Sequence, residues 1–190
     1  MQNTYRTRER YYYKKYIQLD DGNSYEVLRG ELYAMTPAPT VQHQLVLRNI
    51  LVLLAGSLKN TGCEVISAPC DVLLPEKDED IDHTSTIVQP DIFVICDKSK
   101  IKDRYCLGAP DLIVEVVSPS RPSMDYVKKL HLYEKHGVKE YWIVNYTHKE
   151  IMVYGLMDAE YGVPKIYLSG SINSDVFENL KLVLADIFRV

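Results

Sequence analysis

The chain lacks a stretch that could cross a membrane: no apolar run approaches the roughly 20 residues that a spanning helix needs. Its opening residues, MQNTYRTRERYYYKKY, are polar and basic, which excludes a secretory signal. The expectation is therefore a cytoplasmic protein with no membrane contact. Glycine-rich phosphate loops, a G-x-S-x-G elbow and an H-E-x-x-H pair are also missing, and with them the common nucleotide, serine-hydrolase and zinc-peptidase chemistries. Cys63, Cys70, Cys96 and Cys106 include no C-x-x-C spacing. They read as reduced structural residues, with Cys96, at the end of an apolar run, as plain core. An overall basic balance is absent too, since the net charge is −4. That excludes a uniformly basic nucleic-acid coat but not a local patch. Arg6, Arg8, Arg10, Lys14 and Lys15 share the first sixteen residues with five tyrosines. This arm, within residues 1–20, reads either as a phosphate-contacting segment with stacking rings or as a solvated amphipathic helix. The helix over about 6–16 is the preferred reading.

What is present fits one domain spanning residues 1–190, with no repeat and no long linker. Ser24–Leu28 and Glu31–Met35 flank Arg29-Gly30 in a hairpin pattern. Thr40 is a good cap for the apolar helix VQHQLVLRNILVLLAGSLKN, which Gly62 stops and whose middle should be deeply packed. Short strands are expected at Cys63–Ala68 and Asp71–Leu74, then an exposed acidic loop over 75–88. QPDIFVIC and DLIVEVV are short, β-branched and without strict alternation, so they read as central strands covered on both faces. Ser123 caps the helix MDYVKKLHLYEKH, which Gly137 ends. KEYWIVN, EIMVYG, KIYLSG and the C-terminal segment to Phe188 complete an α/β (α+β) domain, a sheet flanked by helices.

A charge on a buried strand must find a partner, bind a metal or protonate. Glu115 sits inside LIVEVV and Asp91 opens DIFVIC. On adjacent strands both could face one cation. Asp111 competes, but four residues along a strand place it about 13 Å from Glu115, too far for two ligands that each approach a Mg²⁺ to about 2.1 Å. On the helix after Glu115, a step of about 100° per residue gathers Asp125, Tyr126, Lys129, Leu130, Leu132 and Tyr133 on one arc. Lys128 and Lys135 fall elsewhere. Lys129 is thus an inward ammonium that needs an anion; Asp125, one turn earlier, is an equally good partner. Glu31 reads either as a further site carboxyl or as an exposed hairpin acid. His43 reads as a packed or capping residue, and Ser118 with Pro119 as a strand stop.

GELYAMTPAP with His43 shortly after, QPDIFV, GAPDLIVEVVSPS, the spacing Asp125–Lys129–Tyr133 and GVKEYWIVN together resemble the Uma-two family of putative restriction endonucleases. The resemblance runs from about Tyr25 to Phe188 and places the chain in the PD-(D/E)xK nuclease superfamily. It implies a restriction-endonuclease-like mixed β-sheet flanked by helices. It further implies a Mg²⁺ (or Mn²⁺) site at Asp91 and Glu115, and hydrolysis of phosphodiester bonds in DNA. By motif match Lys129 and Glu31 complete the catalytic set. The lysine usual two residues after the acid is replaced by Val117, a departure that leaves open a degenerate module binding nucleic acid or a protein partner without cutting it. Fifteen tyrosines and the two strands of a DNA substrate point to a homodimer.

Overall fold

Two β-branched runs set the architecture. In the computed structural model, which describes residues 9–35, 39–117 and 124–189 (backbone only at 124 and 125), both run through the middle of one mixed sheet. In chain order the elements are α1 (Tyr13–Tyr16), β1 (Tyr25–Leu28), β2 (Glu31–Ala34), α2 (Val41–Ser57), β3 (Glu64–Ser67), β4 (Asp71–Leu73), β5 (Ile87–Val88) and β6 (Ile92–Ile95). Then come β7 (Tyr105–Leu107), β8 (Leu112–Val116), α3 (Leu130–His136), β9 (Glu140–Asn145), β10 (Glu150–Met157), β11 (Glu160–Tyr161), β12 (Lys165–Tyr167), β13 (Ser171–Asn173), β14 (Lys181–Val183) and α4 (Leu184–Ile187). The main sheet has the order β11-β10-β9-β8-β6-β3, with β12 also on β10. β8 and β9 are parallel, β6 and β8 antiparallel. A second sheet, β2-β1-β5-β4-β7, lies over one face, and β13 and β14 pair apart from both.

Alternation along β6 and β8 divides their side chains between two cores. Ile92, Val94, Leu112, Val114 and Val116 pack with α2, α4 and β14. Phe93, Ile95, Ile113 and Val117 pack with the second sheet and α3. Both strands are thus covered on both faces, as their unbroken apolar runs require. Each fully buried aliphatic side chain here stabilises the fold by about 1.5–3 kcal/mol.

Several expectations need correction. The helix α2 is capped by Thr40, whose hydroxyl accepts from His43 N–H, but it buries one stripe, His43, Val46, Ile50 and Leu54, and leaves Val52 exposed. The segment 75–88 is not all exposed loop. Thr84, Thr86, Ile87 and Val88 are fully buried, and β5 joins β1 to β4. The basic connection after β6 contains β7, which pairs in parallel with β4. The cysteines are not all reduced core: Cys63 and Cys96 form a disulfide at the end of the β3–β6 pair, with Cys96 exposed. The strand register brings them together, since Glu64 pairs with Ile95.

The N-terminal arm is a strap rather than a long helix. Tyr11 N–H donates to Gly30 carbonyl and Tyr13 N–H to Thr84 carbonyl, both at 2.9 Å. Tyr13 is buried against Tyr105 under the second sheet. Lys14 pairs with Asp82 and Lys15 with Glu9, so both cations have acidic neighbours. Arg6 and Arg8 lie outside the described residues.

Candidate functional site

The carboxyl of Glu115 points from the centre of β8 toward α3, on the face shared with Ile113 and Val117. The residue is 4% exposed. Lys129 Nζ donates to its Oε1 at 2.8 Å, and Tyr133 OH donates to the same oxygen at 2.8 Å. Lys129 and Tyr133 are one turn apart, so they share a face of the helical segment. That segment begins with a π-helical stretch, Met124–Lys129, and continues as α3. The wider turn is a common device at functional sites for re-aiming one residue. Here Lys129 is turned inward while Lys128, its neighbour, is exposed and lies over the Tyr33 ring. The inward arc read from the sequence therefore holds. Asp125 as the alternative partner falls outside the described side chains.

Lys129 has a second buried partner. Its ammonium is 3.0 Å from Glu26 Oε1, and Glu26 is 5% exposed. Alternation along β1 puts Val27 on the arm side and Glu26 with Leu28 on the α3 side. The same Glu26 oxygen accepts from Gln89 N–H at 2.9 Å. Gln89 in turn donates through its side chain to Asp71 at 2.8 Å and to Tyr16 OH at 3.2 Å. Burial holds the Asp71 carboxyl above its ordinary range, against the opposing hydrogen bonds from Gln89 and Tyr16. A chain of polar groups thus runs from the N-terminal strap through Gln89 and Glu26 to Lys129 and Glu115.

Asp91 follows Pro90 just ahead of β6. Its Oδ2 accepts from Val116 N–H at 2.8 Å, and His43 Nε2 lies 3.5 Å from the same oxygen. The β6–β8 register, Ile92 opposite Val114, sets Asp91 opposite Glu115 when carried one residue further. Residues so opposed have Cβ atoms about 4.5–5.5 Å apart. The two strands are adjacent, as the sequence reading required, and their register carried on sets the two acids across from one another.

Glu31 is displaced from this group. It is exposed on the edge strand opposite Leu28, and its carboxyl accepts from Tyr33 OH. Among the described residues, the carboxyls that meet Lys129 are Glu26 and Glu115. The early carboxyl that meets Lys129 among the described residues is Glu26, five residues before Glu31. The signal was available, because Glu26 interrupts the apolar run of SYEVL as Glu115 interrupts LIVEVV. Glu140 is a second acid missed in this way, yet its environment is different. It is fully buried and accepts from Trp142 Nε1, Ser174 Oγ and the N–H groups of Asp175 and Val176. Trp142 on the same strand and the 174–176 loop hold it, and among the described residues no ion pair joins it. Asp111 likewise ties strand ends, accepting from Cys96 N–H and pairing with Lys139.

Two buried carboxyl groups, Glu26 and Glu115, thus meet one ammonium, and Asp91 lies across the strand pair from Glu115. Among the described residues no cluster of three or more His, Cys, Asp or Glu forms a ready-made metal cage. Mg²⁺ does not require one, because it commonly uses one or two carboxyls with waters and substrate phosphates. Asp91 Oδ1 has no described partner, and Asp91 is the most exposed of the three acids, with a side chain 21% exposed. The hard-oxygen donor pair Asp91–Glu115 fits such an ion, with Lys129 and Tyr133 already seated on one Glu115 oxygen.

A family pattern described as "Uma2: Putative restriction endonuclease" matches residues 12–185. An uncharacterized protein from Synechocystis sp. is 26% identical over 144 residues, 74% of this chain and 72% of that protein. The crystal structure of a putative nuclease of the DUF820 group from Anabaena variabilis is similar in fold, with a TM-score of 0.72. It shares 14% identity and covers 94% of this chain and 98% of that one. At that identity the likeness speaks to the fold, a mixed sheet flanked by helices. With the family pattern matched across nearly all of its length, the chain belongs to the Uma2 family.

Proposed function

We propose that this chain is a metal-dependent endonuclease that hydrolyses phosphodiester bonds in DNA, working as a homodimer in the cytoplasm. The observation that carries the reading is the buried Glu115, set across the strand pair from Asp91 and held by Lys129 from the next helix. Asp91 and Glu115 would hold Mg²⁺ or Mn²⁺, which when bound lowers the pKa of a coordinated water and stabilises charge on the phosphate. Lys129 stands 2.8 Å from Glu115, where its ammonium can stabilise negative charge developing at the phosphate. Tyr133 and Glu26 fix that lysine and carboxylate in one geometry before substrate arrives. Val117, at the usual lysine position, is buried apolar core. Lys129 reaches the same carboxyl from the helix instead, which supports a site rearranged rather than lost.

The test is plasmid nicking with Mg²⁺ or Mn²⁺ by wild type and Glu115→Gln, with circular dichroism to confirm that both fold. Nicking by wild type alone is the expected result. Activity surviving in Glu115→Gln would refute the mechanism. A second reading, a binding module that no longer cuts, is favoured by one feature: Lys129 and Tyr133 both occupy Glu115 Oε1. Mn²⁺ binding with no nicking on any DNA form would select it. Light scattering reads the dimer directly.

A further inference from the structure

The register of β6 and β8 carries a consequence for Val116. Ile92 pairs with Val114, Phe93 with Ile113 and Val94 with Leu112, so two residues beyond Ile92 the partner of Val116 is Pro90. Hydrogen-bonded and non-bonded pairs alternate along an antiparallel ladder. Asp91 turns its carbonyl to the other side, accepting from Ala68 N–H at 3.1 Å. The next bonded pair toward β8 is therefore Pro90–Val116. Proline has no N–H to give, and a buried carbonyl left without a donor costs about 1–3 kcal/mol.

Side chains complete this rung. His43 Nε2 lies 3.0 Å from Val116 carbonyl, which can only accept, so Nε2 carries the proton. Val116 N–H donates to Asp91 Oδ2 at 2.8 Å in place of a main-chain carbonyl. Both backbone groups of Val116 are thereby satisfied by side chains, those of His43 and Asp91, and the same His43 nitrogen is 3.5 Å from Asp91 Oδ2. The imidazole is itself held in place. It is 7% exposed, meets the Tyr146 ring edge-on at 6.1 Å, and sits on the helix turn capped by Thr40, whose hydroxyl is 3.3 Å from Tyr146 OH.

We infer that His43 is a positioning residue for Asp91: its Nε2–H replaces the amide that Pro90 lacks, and so fixes the end of β8 against which Asp91 Oδ2 is seated. With Oδ2 committed to Val116, Oδ1 is the oxygen left for a cation. The consequence for metal binding rests on the nuclease reading; the bridge to Val116 does not. Partners of this outer kind alter metal affinity by about 10–100-fold when removed.

Mn²⁺ titration calorimetry on wild type, His43→Leu and His43→Gln tests the role. His43→Leu should weaken Mn²⁺ binding at least tenfold. His43→Gln, whose amide can still donate, should stay within about threefold of wild type. Wild-type affinity in His43→Leu would overturn the inference, as would a nitrogen-15 spectrum showing the His43 proton on Nδ1. If wild type binds no Mn²⁺, the nuclease reading fails, and a thermal double-mutant cycle then reads the bridge alone. Pro90→Ala restores an amide, so His43→Leu should lower Tm less in that background than in wild type. Equal losses in the two backgrounds would overturn the bridge.

Discussion

Lys129→Met removes the only described cation that contacts two buried carboxyls at once. Glu26 and Glu115 are 5% and 4% exposed, and each has an oxygen within 3.0 Å of the lost ammonium. Breaking a buried ion pair by removing one partner costs about 3–5 kcal/mol, because the other charge stays behind without compensation. For a chain of this length each kcal/mol corresponds to about 2–4 °C, so Tm should fall by about 6–20 °C. Methionine keeps most of the aliphatic stem, so lost packing contributes little. Trp142, the single tryptophan, is fully buried between the sheet and α2, which makes urea unfolding followed by its fluorescence a direct assay. Adding Glu115→Gln to Lys129→Met removes one of the stranded charges. The double variant should be more stable than the two single losses sum to, by about 0.5–3 kcal/mol. Lys128→Met is the control. That side chain is exposed, and its loss should cost no more than about 0.5 kcal/mol. Equal stability of Lys129→Met and Lys128→Met would refute the claim that the ion pairs hold the site together.

Cys63 and Cys96 close a loop of 33 residues, so Cys63→Ser with Cys96→Ser should lower stability by about 3–4 kcal/mol in non-reducing urea titrations, a gap that excess dithiothreitol erases. Gly137 ends α3 at φ 79° with nothing near its absent Cβ, so Gly137→Ala should cost about 1 kcal/mol from the backbone alone, read by the same titration. Asp71 is raised above its ordinary value of 3.8, chiefly by burial. The folded state therefore holds that proton more tightly than the unfolded chain, and ionising Asp71 on the way from acid to neutral pH weakens the fold. Asp71→Asn keeps an acceptor for Tyr16 and Gln89, so its stability relative to wild type should rise from pH 3.5 to pH 7. A flat difference across that range would count against the buried position of the acid.

Two kinds of information separate what was legible in the sequence from what was not. Asp91, Glu115 and the inward arc of Lys129 and Tyr133 were legible because each depends on local pattern: an acid in an apolar β-branched run, and a fixed angular step along a helix. The hairpin was legible for the same reason, since Arg29 and Gly30 both take positive φ at its turn and glycine admits that without strain. The strand β5, by contrast, is two residues long and gains its burial only from β1 and β4 on either side. Nothing within DHTSTIV marks it. The disulfide escaped because its cysteines lie 33 positions apart, and only the β3–β6 register places them side by side.

Glu26 and His43 show how the same limit acts at the site. Glu26 is buried where β5 joins the hairpin to β4 and the α3 side of β1 faces Lys129. Without β5 that acid reads as one more hairpin carboxyl, and Glu31 beside the glycine is the natural choice. His43 alone, at the start of a helix, reads as packing. Its role emerges from an absence on another strand, the N–H that Pro90 does not have. The proline of the QPD run is therefore part of the site's construction, because it opens the rung of the ladder into which both Asp91 and His43 fit.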